Sequence, residues 1–366
     1  MAARYRIAII GHTGRGNYGH DVDRVWLEIP DCEIVAVADP DEAGRQQAQQ
    51  RLKVSQAYAD YVKMLDESKP QIVSICPRHL DQHRDMVVAA AERGIHIYME
   101  KPFCRTLAEA DQMIAACEKH DVKLAIAHQT RYSPKLQIVK NMINDGLLGD
   151  LLELRGRGKE DGRGGGEDLW VLGSHVMNLI HYFGGEPQWC FAQVTQQGRP
   201  IAKADIKTAN EGIGLLAGDV VSAMYGLDDG VTAYFGSKRG AAGGRFGLQI
   251  CGSKGIIEFL TGHLPAVSFL ADPTWSPGRS GKTWVPVSSA GPGKPEPLKD
   301  GGLLGGNILA CRDLLAAIEN DRQPECSMYE ARTTIEMISA VFESQRVGRP
   351  VTLPLQTRES PLSLYS

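Results

Sequence analysis

Three residues at the end of a short strand-like run carry side chains that could take part in chemistry. Glu100, Lys101 and Pro102 directly follow the run "HIYM" (96–99). Two opposite charges are poor packing material at the end of a strand, and the proline keeps Lys101 out of a helical backbone. The lysine is therefore either half of a surface ion pair with Glu100 or an ammonium group aimed at a bound molecule.

A glycine-rich loop, "GHTGRGNYG" (11–19), points to phosphate binding. Residues 11–16 match the pattern GxGxxG, except that Thr13 stands in place of the second glycine and Gly14 lies beside it. A second match begins at Gly14 but lies farther from the preceding strand. Glycines let a backbone approach a pyrophosphate, and the start of a following helix would stabilise its charge. Four glycines in nine residues also suit an ordinary flexible loop, so the context must decide.

The residues around this loop favour a dinucleotide site. The apolar run "YRIAIIG" (5–11) predicts a buried strand, and residues 20–29 have apolar residues at helical spacing. A second strand, "CEIVAVAD" (32–39), ends on Asp39. A carboxylate there would accept hydrogen bonds from the adenosine ribose and repel a 2′-phosphate, which favours NAD over NADP. The alternative interpretation is that Asp39 is only a turn residue in "DPD".

Strand and helix alternate through the first third of the chain. Runs at 71–77, 95–99 and 122–127 predict further strands, and Thr106 with Glu109 forms a capping box ahead of a helix. A helix over 79–93 is expected to end at Gly94. This alternation predicts a Rossmann-type, doubly wound parallel sheet.

The pattern changes after this region and predicts a second domain. Strands are expected at 151–158, 189–195, 212–226, 231–238, 246–251 and 255–260, and helices at 305–321 and 329–346. We therefore predict an α/β protein with an NAD-binding Rossmann domain over 1–125. An α+β domain with a large, mainly antiparallel open sheet follows over 126–366. The Pro/Gly-rich stretch 272–302 is expected to be a long surface loop or an oligomer contact.

Bulk composition restricts the class of protein. The 366 residues exceed what a single core usually holds, and 43% hydrophobic with 23% charged residues is typical of a soluble globular protein. A net charge of −4 argues against nucleic-acid binding. The eight cysteines have no paired spacing, which predicts reduced thiols and neither a disulfide framework nor a zinc site. With no signal peptide and no run long enough to span a membrane, the expected location is the cytoplasm.

Further motifs follow in a specific order along nearly the whole chain. They include "ICPRHLDQH" (75–83), "GIHIYMEKPF" (94–103), "HQTRYSPKLQ" (128–137), "LGSHVMNLIHYF" (172–183), "ICGSKGIIEF" (250–259) and "QRVGRPVTLPL" (345–355). In this order the chain resembles the Gfo/Idh/MocA family, which contains glucose–fructose oxidoreductase, inositol dehydrogenase and related NAD(P)-dependent sugar dehydrogenases. The resemblance implies that Lys101 points at the nicotinamide and the reacting hydroxyl, where burial and the ring's charge would lower its pKa.

The resemblance also implies which residues hold the cofactor. Arg78 and His79 would lie beneath the nicotinamide ribose. His79 and His83 have the i, i+4 spacing of a metal pair, but no further ligand is evident and the family needs no metal, so we expect none. The complete cofactor-binding set is Gly11, Thr13, Gly14, Arg15, Gly16, Asp39, Cys76, Pro77, His79, Glu100, Lys101 and Gln129.

The substrate chemistry is expected on the stretch 158–183, where the chain departs from the family pattern. His175 would be the second catalytic residue with Lys101, although a helix histidine facing the sheet is the alternative. The aspartate usual four residues before the histidine is Val171, and the one often found three residues after it is Asn178. Asp168, two turns before His175 on the same helical face, is a possible substitute. The substrate-binding set is Lys101, Arg131, Tyr132, Asp161, Arg163, Asp168 and His175, and "GRGGG" (162–166) is either a mobile lid or a turn.

Three functions are compatible with this pattern. The first is NAD-dependent hydride transfer at a secondary hydroxyl of a sugar, polyol or sugar acid. The second is an NAD-retaining enzyme that oxidises its sugar only transiently, as an epimerase, lyase or glycosidase would, and the third is a non-catalytic dinucleotide-binding sensor. A homodimer or homotetramer through the C-terminal sheet is expected, with a carbohydrate substrate and no nucleic-acid or membrane partner.

Overall fold

A computed structural model describes residues 5–241 and 244–365, and the chain divides into two compact units. The first unit comprises the chain through Gln129, Asn210–Gly214 and Leu303–Arg332. The second comprises Thr130–Ala209, Leu215–Gly302 and the chain from Thr333. The chain therefore returns twice to the first unit, which a single division at 125/126 does not anticipate.

The first unit contains a parallel sheet of six strands in the order β3-β2-β1-β4-β5-β6. Its strands are β1 (Tyr5–Ile10), β2 (Cys32–Ala38), β3 (Gln56–Tyr58), β4 (Ile72–Ile75), β5 (His96–Met99) and β6 (Leu124–Ile126). The predicted doubly wound parallel sheet is confirmed, although β3 was not anticipated. Because the strand order reverses between β1 and β4, ligands are expected in the crevice at their carboxyl ends.

The connection between β1 and β2 differs from the prediction. Residues 18–24 form turns, and only Val25–Glu28 are helical, as a single 3₁₀ turn. Gly19 and Asp21 have φ of 65° and 64°, which no right-handed helix accommodates. The predicted helix over 20–29 is therefore wrong, and no α-helix begins at the glycine-rich loop to stabilise a pyrophosphate.

Three of the four α-helices that lie between the strands of the first unit begin at side-chain caps. Asp41, Asp60 and Thr106 each accept a hydrogen bond from a backbone N–H of the first turn that follows. The cap at Thr106 and the stop at Gly94, whose φ is 66°, were both predicted. The helices are α1 (Glu42–Leu52), α2 (Tyr61–Ser68), α3 (His83–Ala91) and α4 (Leu107–Lys119).

The second unit is built on one large sheet, mainly antiparallel as predicted. Its eleven strands follow the order β18-β17-β16-β15-β14-β7-β13-β12-β8-β19, with β9 beside β8 and only β7–β13 parallel. The strands of this sheet are β7 (Leu151–Arg157), β8 (Trp189–Gln196), β9 (Arg199–Pro200), β12 (Val220–Gly226), β13 (Thr232–Lys238), β14 (Gly247–Gly252), β15 (Ile256–Leu260), β16 (Val267–Leu270), β17 (Val285–Ser288), β18 (Gly291–Pro292) and β19 (Val351–Thr352). A separate pair consists of β10 (Lys207–Thr208) and β11 (Leu215–Leu216).

Helices cover one face of the large sheet. The remaining α-helices of the described residues are α5 (Pro134–Asn144), α6 (Gly166–Val171), α7 (Gly173–Gly184), α8 (Pro277–Ser280), α9 (Gly302–Glu319) and α10 (Met328–Val347). Helix α7 packs its Val176 and Ile180 against Gly156 of β7, where a larger residue would collide with them. Most of α9 belongs to the first unit, although the helix predicted over 305–321 was assigned to the second domain.

The Pro/Gly-rich stretch 272–302 is more ordered than predicted. It contributes α8, β17 and β18, so the expectation of a long loop is wrong for this part. Trp275 and Trp284 pack against a cluster formed by Cys251, Ile256 and Leu270. The two tryptophans thus fold the stretch back onto its own sheet because they bury apolar surface there.

Two further observations concern the described residues as a whole. None of their helices is long and apolar enough to cross a membrane. Within the same residues, no three His, Cys, Asp or Glu side chains are grouped so that they could hold a metal ion.

Candidate functional site

The Glu100–Lys101 pair lies at the carboxyl end of β5 and is buried. The exposed fractions of the two residues are 0% and 5%, which excludes a surface ion pair. Glu100 is instead bonded to His20, whose Nδ1 lies 3.0 Å from Oε1 and whose backbone N–H donates to Oε2 at 3.3 Å. Burial raises the pKa of Glu100, but the His20 bonds and the Lys101 ammonium together bring it below its usual value. Glu100 is thus a buried carboxylate, and Lys101 is held beside it.

His83 holds the Lys101 turn in place. Its ring is fully buried, with Nε2 2.7 Å from the Pro77 carbonyl oxygen and Nδ1 3.0 Å from that of Pro102. The Phe103 carbonyl oxygen lies 3.1 Å from the same Nδ1. One imidazole therefore links the loop after β4 to the turn after β5. A metal pair with His79 is incompatible with this geometry because both ring nitrogens of His83 face carbonyl oxygens.

The glycine-rich loop is shaped by close approach to its own chain. Gly14, Gly16 and Gly19 all have positive φ. A Cβ on Gly16 would lie 2.7 Å from the His79 backbone nitrogen, and one on Gly19 would lie 2.6 Å from the Cys76 carbonyl oxygen. The loop consequently packs directly on the residues that follow β4.

Thr13 and Asp39 join the glycine-rich loop to the end of β2. The Thr13 hydroxyl donates to Asp39 Oδ2 at 2.7 Å, and its backbone N–H lies 3.1 Å from the same oxygen. The backbone N–H of Asp41 donates to Oδ1 at 2.9 Å. Asp39 is fully buried, so the threonine in place of the second glycine has a definite structural partner.

Tyr18 packs against the start of the glycine-rich loop. Its ring lies against Gly11 and under the Arg51 guanidinium, 4.6 Å from the ring centroid. Its hydroxyl is buried and meets no hydrogen-bond partner among the described residues. Burial and then the nearby Asp39 charge raise the pKa of Tyr18. Position 11 must therefore be glycine because a side chain there would collide with the Tyr18 ring, as it would with any bound phosphate.

A cavity of about 390 Å³ opens at the carboxyl ends of the first strands. Gly11 and His12 line it from β1, Pro40 from β2, and Asp60 with Tyr61 from the start of α2. Its size and its position beside the reversal of strand order suit the adenosine end of a dinucleotide. The glycine-rich loop itself contributes Gly11 and His12 to this lining, so the residues present fit such a cofactor.

The other expected cofactor residues lie in the same unit. Arg15 is exposed and pairs with Asp81. His79 is half-buried, and burial together with the Arg15 charge lowers its pKa. Cys76 is fully buried, which raises its pKa well above the usual value, and Gln129 is 4% exposed. These residues remain predicted ligands.

In the second unit, the helix expected to carry the substrate chemistry is broken. Leu172 ends α6 and precedes α7, so Asp168 and His175 lie on separate segments. The prediction that they share one helical face is wrong. His175 is half-buried at the start of α7, with its ring edge-on to Phe246 at a centroid distance of 6.3 Å.

Asp168 organises the loop in front of this helix. It is fully buried, and its Oδ2 accepts hydrogen bonds from Ser237 Oγ at 2.5 Å and from the Glu160 N–H at 3.1 Å. The Lys159 N–H donates to Oδ1 at 3.3 Å. Burial raises the pKa of Asp168 despite these bonds. A carboxylate with these partners holds the backbone of the loop rather than the imidazole of His175.

The glycine-rich segment 162–166, which leads into α6, is an anchored turn, meaning a turn whose backbone is held by hydrogen bonds. The N–H groups of Gly165 and Gly166 donate to Ser237 Oγ at 3.0 Å and to the Gly218 carbonyl at 3.1 Å. Asp161 pairs with Arg163 at 2.7 Å, and this bond lowers its pKa to about 2. Of the two interpretations of "GRGGG", the geometry favours the turn.

Arg131 forms a cluster with Asn178 and Tyr182 of α7. Arg131 Nη1 lies 3.4 Å from Asn178 Oδ1, and its guanidinium carbon is 4.6 Å from the Tyr182 ring centroid. The Asn178 amide donates to Thr334 Oγ1 at 3.3 Å. Tyr132, next to Arg131, is half-buried.

Sequence reasoning missed His20 and the role of His83, and it placed Glu160 near the pocket without anticipating its burial. Glu160 is fully buried with φ of 60° and binds Arg157 and Arg245. A charged residue in a glycine-rich stretch is expected to be exposed to solvent. Only its burial in the structure identifies Glu160 as part of the site. The sequence signal for His83 was its place in the motif "ICPRHLDQH" (75–83).

Comparison with known proteins identifies the family. A sequence model described as the Gfo/Idh/MocA oxidoreductase family, NAD-binding Rossmann fold, matches residues 5–128, and one for the C-terminal domain of the same family matches 136–258. The chain belongs to the Gfo/Idh/MocA oxidoreductase family. The resemblance found in the motifs is thus confirmed, together with an NAD-binding Rossmann fold.

Individual relatives of this Gfo/Idh/MocA protein act on carbohydrates. D-apiose dehydrogenase of Paraburkholderia graminis is 24% identical over 98% of this chain and 92% of its own length. A 2,7-anhydro-N-acetylneuraminate hydratase of Mediterraneibacter gnavus is 30% identical over 38% of this chain and 36% of its own. The solved structure of levoglucosan dehydrogenase with NADH and L-sorbose matches at a TM-score of 0.76 and 20% identity, over 96% of this chain and 99% of the other.

Proposed function

We propose that this protein transfers a hydride between NAD and a secondary hydroxyl of a sugar, polyol or sugar acid. The observation that carries the proposal is Lys101, an almost fully buried lysine at the carboxyl end of β5. The Glu100 carboxylate beside it offsets part of the cost of burying this ammonium group. Its place at the ligand-binding edge of a parallel sheet favours a function.

In this proposal, Lys101 and His175 together remove the proton of the reacting hydroxyl. When bound, the nicotinamide ring accepts the hydride from the carbon of the substrate or returns it. Lys101 donates a hydrogen bond to the reacting hydroxyl oxygen, which favours loss of its proton, and His175 receives that proton as the C–H and O–H bonds become C=O. Glu100, bonded to His20, keeps a negative charge beside Lys101 and helps to hold the ammonium group.

NAD is proposed over NADP because of Asp39. Its carboxylate is fixed by Thr13 at the end of β2, where the adenosine ribose of a bound cofactor would lie. A second negative charge, that of a 2′-phosphate, would be repelled there. Gly11, Gly14, Arg15 and Gly16 would hold the pyrophosphate, and Cys76, Pro77, His79 and Gln129 the nicotinamide end.

Absorbance at 340 nm tests the proposal directly. The purified protein is mixed with NAD and a panel of sugars, inositols and sugar acids. We expect NADH to accumulate with at least one compound, and Lys101→Ala and His175→Ala to lose this signal while still binding NAD. Turnover that survives Lys101→Ala would contradict the proposal.

A second candidate is an NAD-retaining enzyme without net oxidation. Two observations favour it: Val171 stands where the family usually has an aspartate, and Asp168 is bonded to Ser237 instead of serving His175. The partial similarity to a hydratase is consistent with such chemistry. Substrate consumption without released NADH, detected by chromatography of the same reactions, would favour this candidate over the first.

The proposal includes a homodimer or homotetramer formed through the open face of the large sheet. Phe191 and Tyr234 both stand opposite Met224 on neighbouring strands of that face, with exposed fractions of 43% and 39%. Apolar side chains in a row on an uncovered sheet are typical of an interface. A cavity of about 500 Å³ lined by Arg155, Gln249 and Glu258 continues the same face.

A further inference from the structure

Arg131 is a buried cation that no carboxylate of the described residues neutralises. Its exposed fraction is 9%, and its Nε is buried without a hydrogen-bond partner in the described part of the chain. Its recorded contacts are the Asn178 carbonyl oxygen at 3.4 Å and the ring of Tyr182. An arginine side chain keeps its charge in a protein, and buried charges are normally paired. The guanidinium group therefore keeps an unused N–H donor and a positive charge that no carboxylate of the described residues neutralises.

The neutral amide of Asn178 explains why the positive charge of Arg131 is not neutralised. This residue is fully buried, and its amide nitrogen donates to Thr334 Oγ1 at 3.3 Å. Because arginine only donates hydrogen bonds, the carbonyl oxygen of Asn178 must face Arg131. An aspartate would have the same shape and would neutralise the guanidinium, whereas the amide contributes no charge.

A second cation stands nearby. The Nζ of Lys140 lies 4.2 Å from the centroid of the Tyr182 ring, which also contacts the Arg131 guanidinium. Tyr182 is thus flanked by two positive groups, and its ring supplies only the partial negative charge of its π face. The guanidinium charge of Arg131 at this position favours an anion.

We propose that Arg131 binds a carboxylate of the substrate, so that the substrate is a sugar acid rather than a neutral sugar or polyol. This inference rests on the proposed function and narrows its substrate class. The planar fork of a guanidinium matches the two oxygens of a carboxylate. Asn178, the partner of Arg131, lies three residues after His175, which places it one turn along the same face of α7. The bound carboxylate and the hydroxyl that His175 serves would therefore belong to one small molecule.

Calorimetric titration of matched pairs tests the inference on the full chain with NAD present. The pairs are D-glucuronate with D-glucose, D-galacturonate with D-galactose, and D-gluconate with D-sorbitol. We expect at least one acid to bind about 10-fold to 100-fold more tightly than its neutral partner, as a charge-assisted bidentate pair allows. Binding of every neutral compound at least as tightly as its acid, or no binding of any acid, would overturn the inference.

One substitution isolates the proposed cause. Asn178→Asp changes the amide to a carboxylate of the same shape, and Thr334 can donate to it, so the fold should be kept. We expect this variant to pair internally with Arg131 and to lose about 10-fold or more of the affinity for the acid. Asn320→Asp, at an exposed position directly after α9, adds the same charge away from the cluster and should leave the affinity unchanged. Equal acid affinity in Asn178→Asp and the wild type would also overturn the inference.

The outcome separates this inference from the proposed function. NADH formation from a neutral sugar without preference for its acid would refute the carboxylate site and keep the dehydrogenase. Tight acid binding that depends on Asn178, without NADH formation, would support the site and refute the dehydrogenase.

Discussion

At the scale of single residues, buried polar side chains determine where the candidate catalytic lysine lies. His83 contacts three carbonyl oxygens from the turns after β4 and β5, and Glu100 is bonded to His20. These bonds involve buried groups, where the loss of a partner is expensive because water cannot replace it. The position of Lys101 therefore depends on His83 and on the Glu100–His20 pair.

Replacing His83 tests this dependence. His83→Leu leaves the Pro77 and Pro102 carbonyls without their partner, so we expect the free energy of unfolding to fall by about 1–3 kcal/mol. Urea denaturation followed by circular dichroism measures the change. His120→Leu is the control because this half-buried histidine makes no side-chain hydrogen bond within the described residues. An equal loss in the two variants would contradict the role assigned to His83.

Thr13 offers a second test at this scale, and it depends on the proposed function. Thr13→Val removes the hydroxyl that donates to Asp39 and keeps the shape of the side chain. We expect the affinity for NAD to fall by about 5-fold to 10-fold, since one buried hydrogen bond is lost and Asp39 is less well held. Quenching of protein fluorescence by NAD measures the affinity, and Thr13→Ser, which retains the hydroxyl, should behave as the wild type. A serine variant as weak as the valine variant would argue against the hydrogen bond.

At the scale of elements, backbone conformation decides what hydrophobic spacing alone cannot. Residues 20–29 have helical spacing, yet Gly19 and Asp21 in left-handed conformations keep the segment in turns. Leu172 similarly divides the expected helix into α6 and α7. Both departures occur beside candidate functional residues, where local preference often yields to the needs of a site.

The turn before α6 provides the prediction for this scale. Gly165 has φ of 87°, and a Cβ there would lie 2.6 Å from the Gly218 carbonyl oxygen. We expect Gly165→Ala to lower the free energy of unfolding by about 1–3 kcal/mol, because both the backbone conformation and the packing oppose a side chain. Gly162→Ala, three residues earlier in open space, should change it by no more than about 0.5 kcal/mol. Differential scanning calorimetry of the pair measures the effect, and similar stability of the two variants would refute the anchored turn.

At the scale of the whole molecule, the chain forms two units that are discontinuous in sequence. Leu303–Arg332 returns to the first unit, where Asn307 of α9 is bonded to Tyr98 at 2.7 Å and to the His20 carbonyl at 2.7 Å. A late segment thus supports the same residues that hold Glu100. Removing the C-terminal third would consequently affect the Rossmann unit as well.

The oligomer belongs to this scale. Replacing both Phe191 and Tyr234 with aspartate places charges in the centre of the open sheet face, so we expect the proposed dimer or tetramer to dissociate toward the monomer. Size-exclusion chromatography with light scattering measures the mass. Leu27→Asp, at an equally exposed leucine of the first unit, is the control. A variant that keeps the wild-type mass would refute this face as the assembly interface.

The sequence by itself was sufficient for the fold class, the family and the nature of the candidate residues. Alternation of apolar runs and glycine-rich turns is a local signal, so the parallel sheet, the mainly antiparallel sheet and the capped helix after Thr106 were all predictable. The motifs around Lys101 and His175 identified the family because their order along the chain is specific.

Only the tertiary structure decided which side chains meet. The pairing of Thr13 with Asp39, of His83 with the Pro102 carbonyl, and of Asp168 with Ser237 joins residues that are 26, 19 and 69 positions apart. Burial likewise distinguishes Glu160 and Arg131 from ordinary surface charges. Such contacts depend on how elements pack and not on any local pattern, which is why the charge left over at Arg131 became visible only in the folded chain.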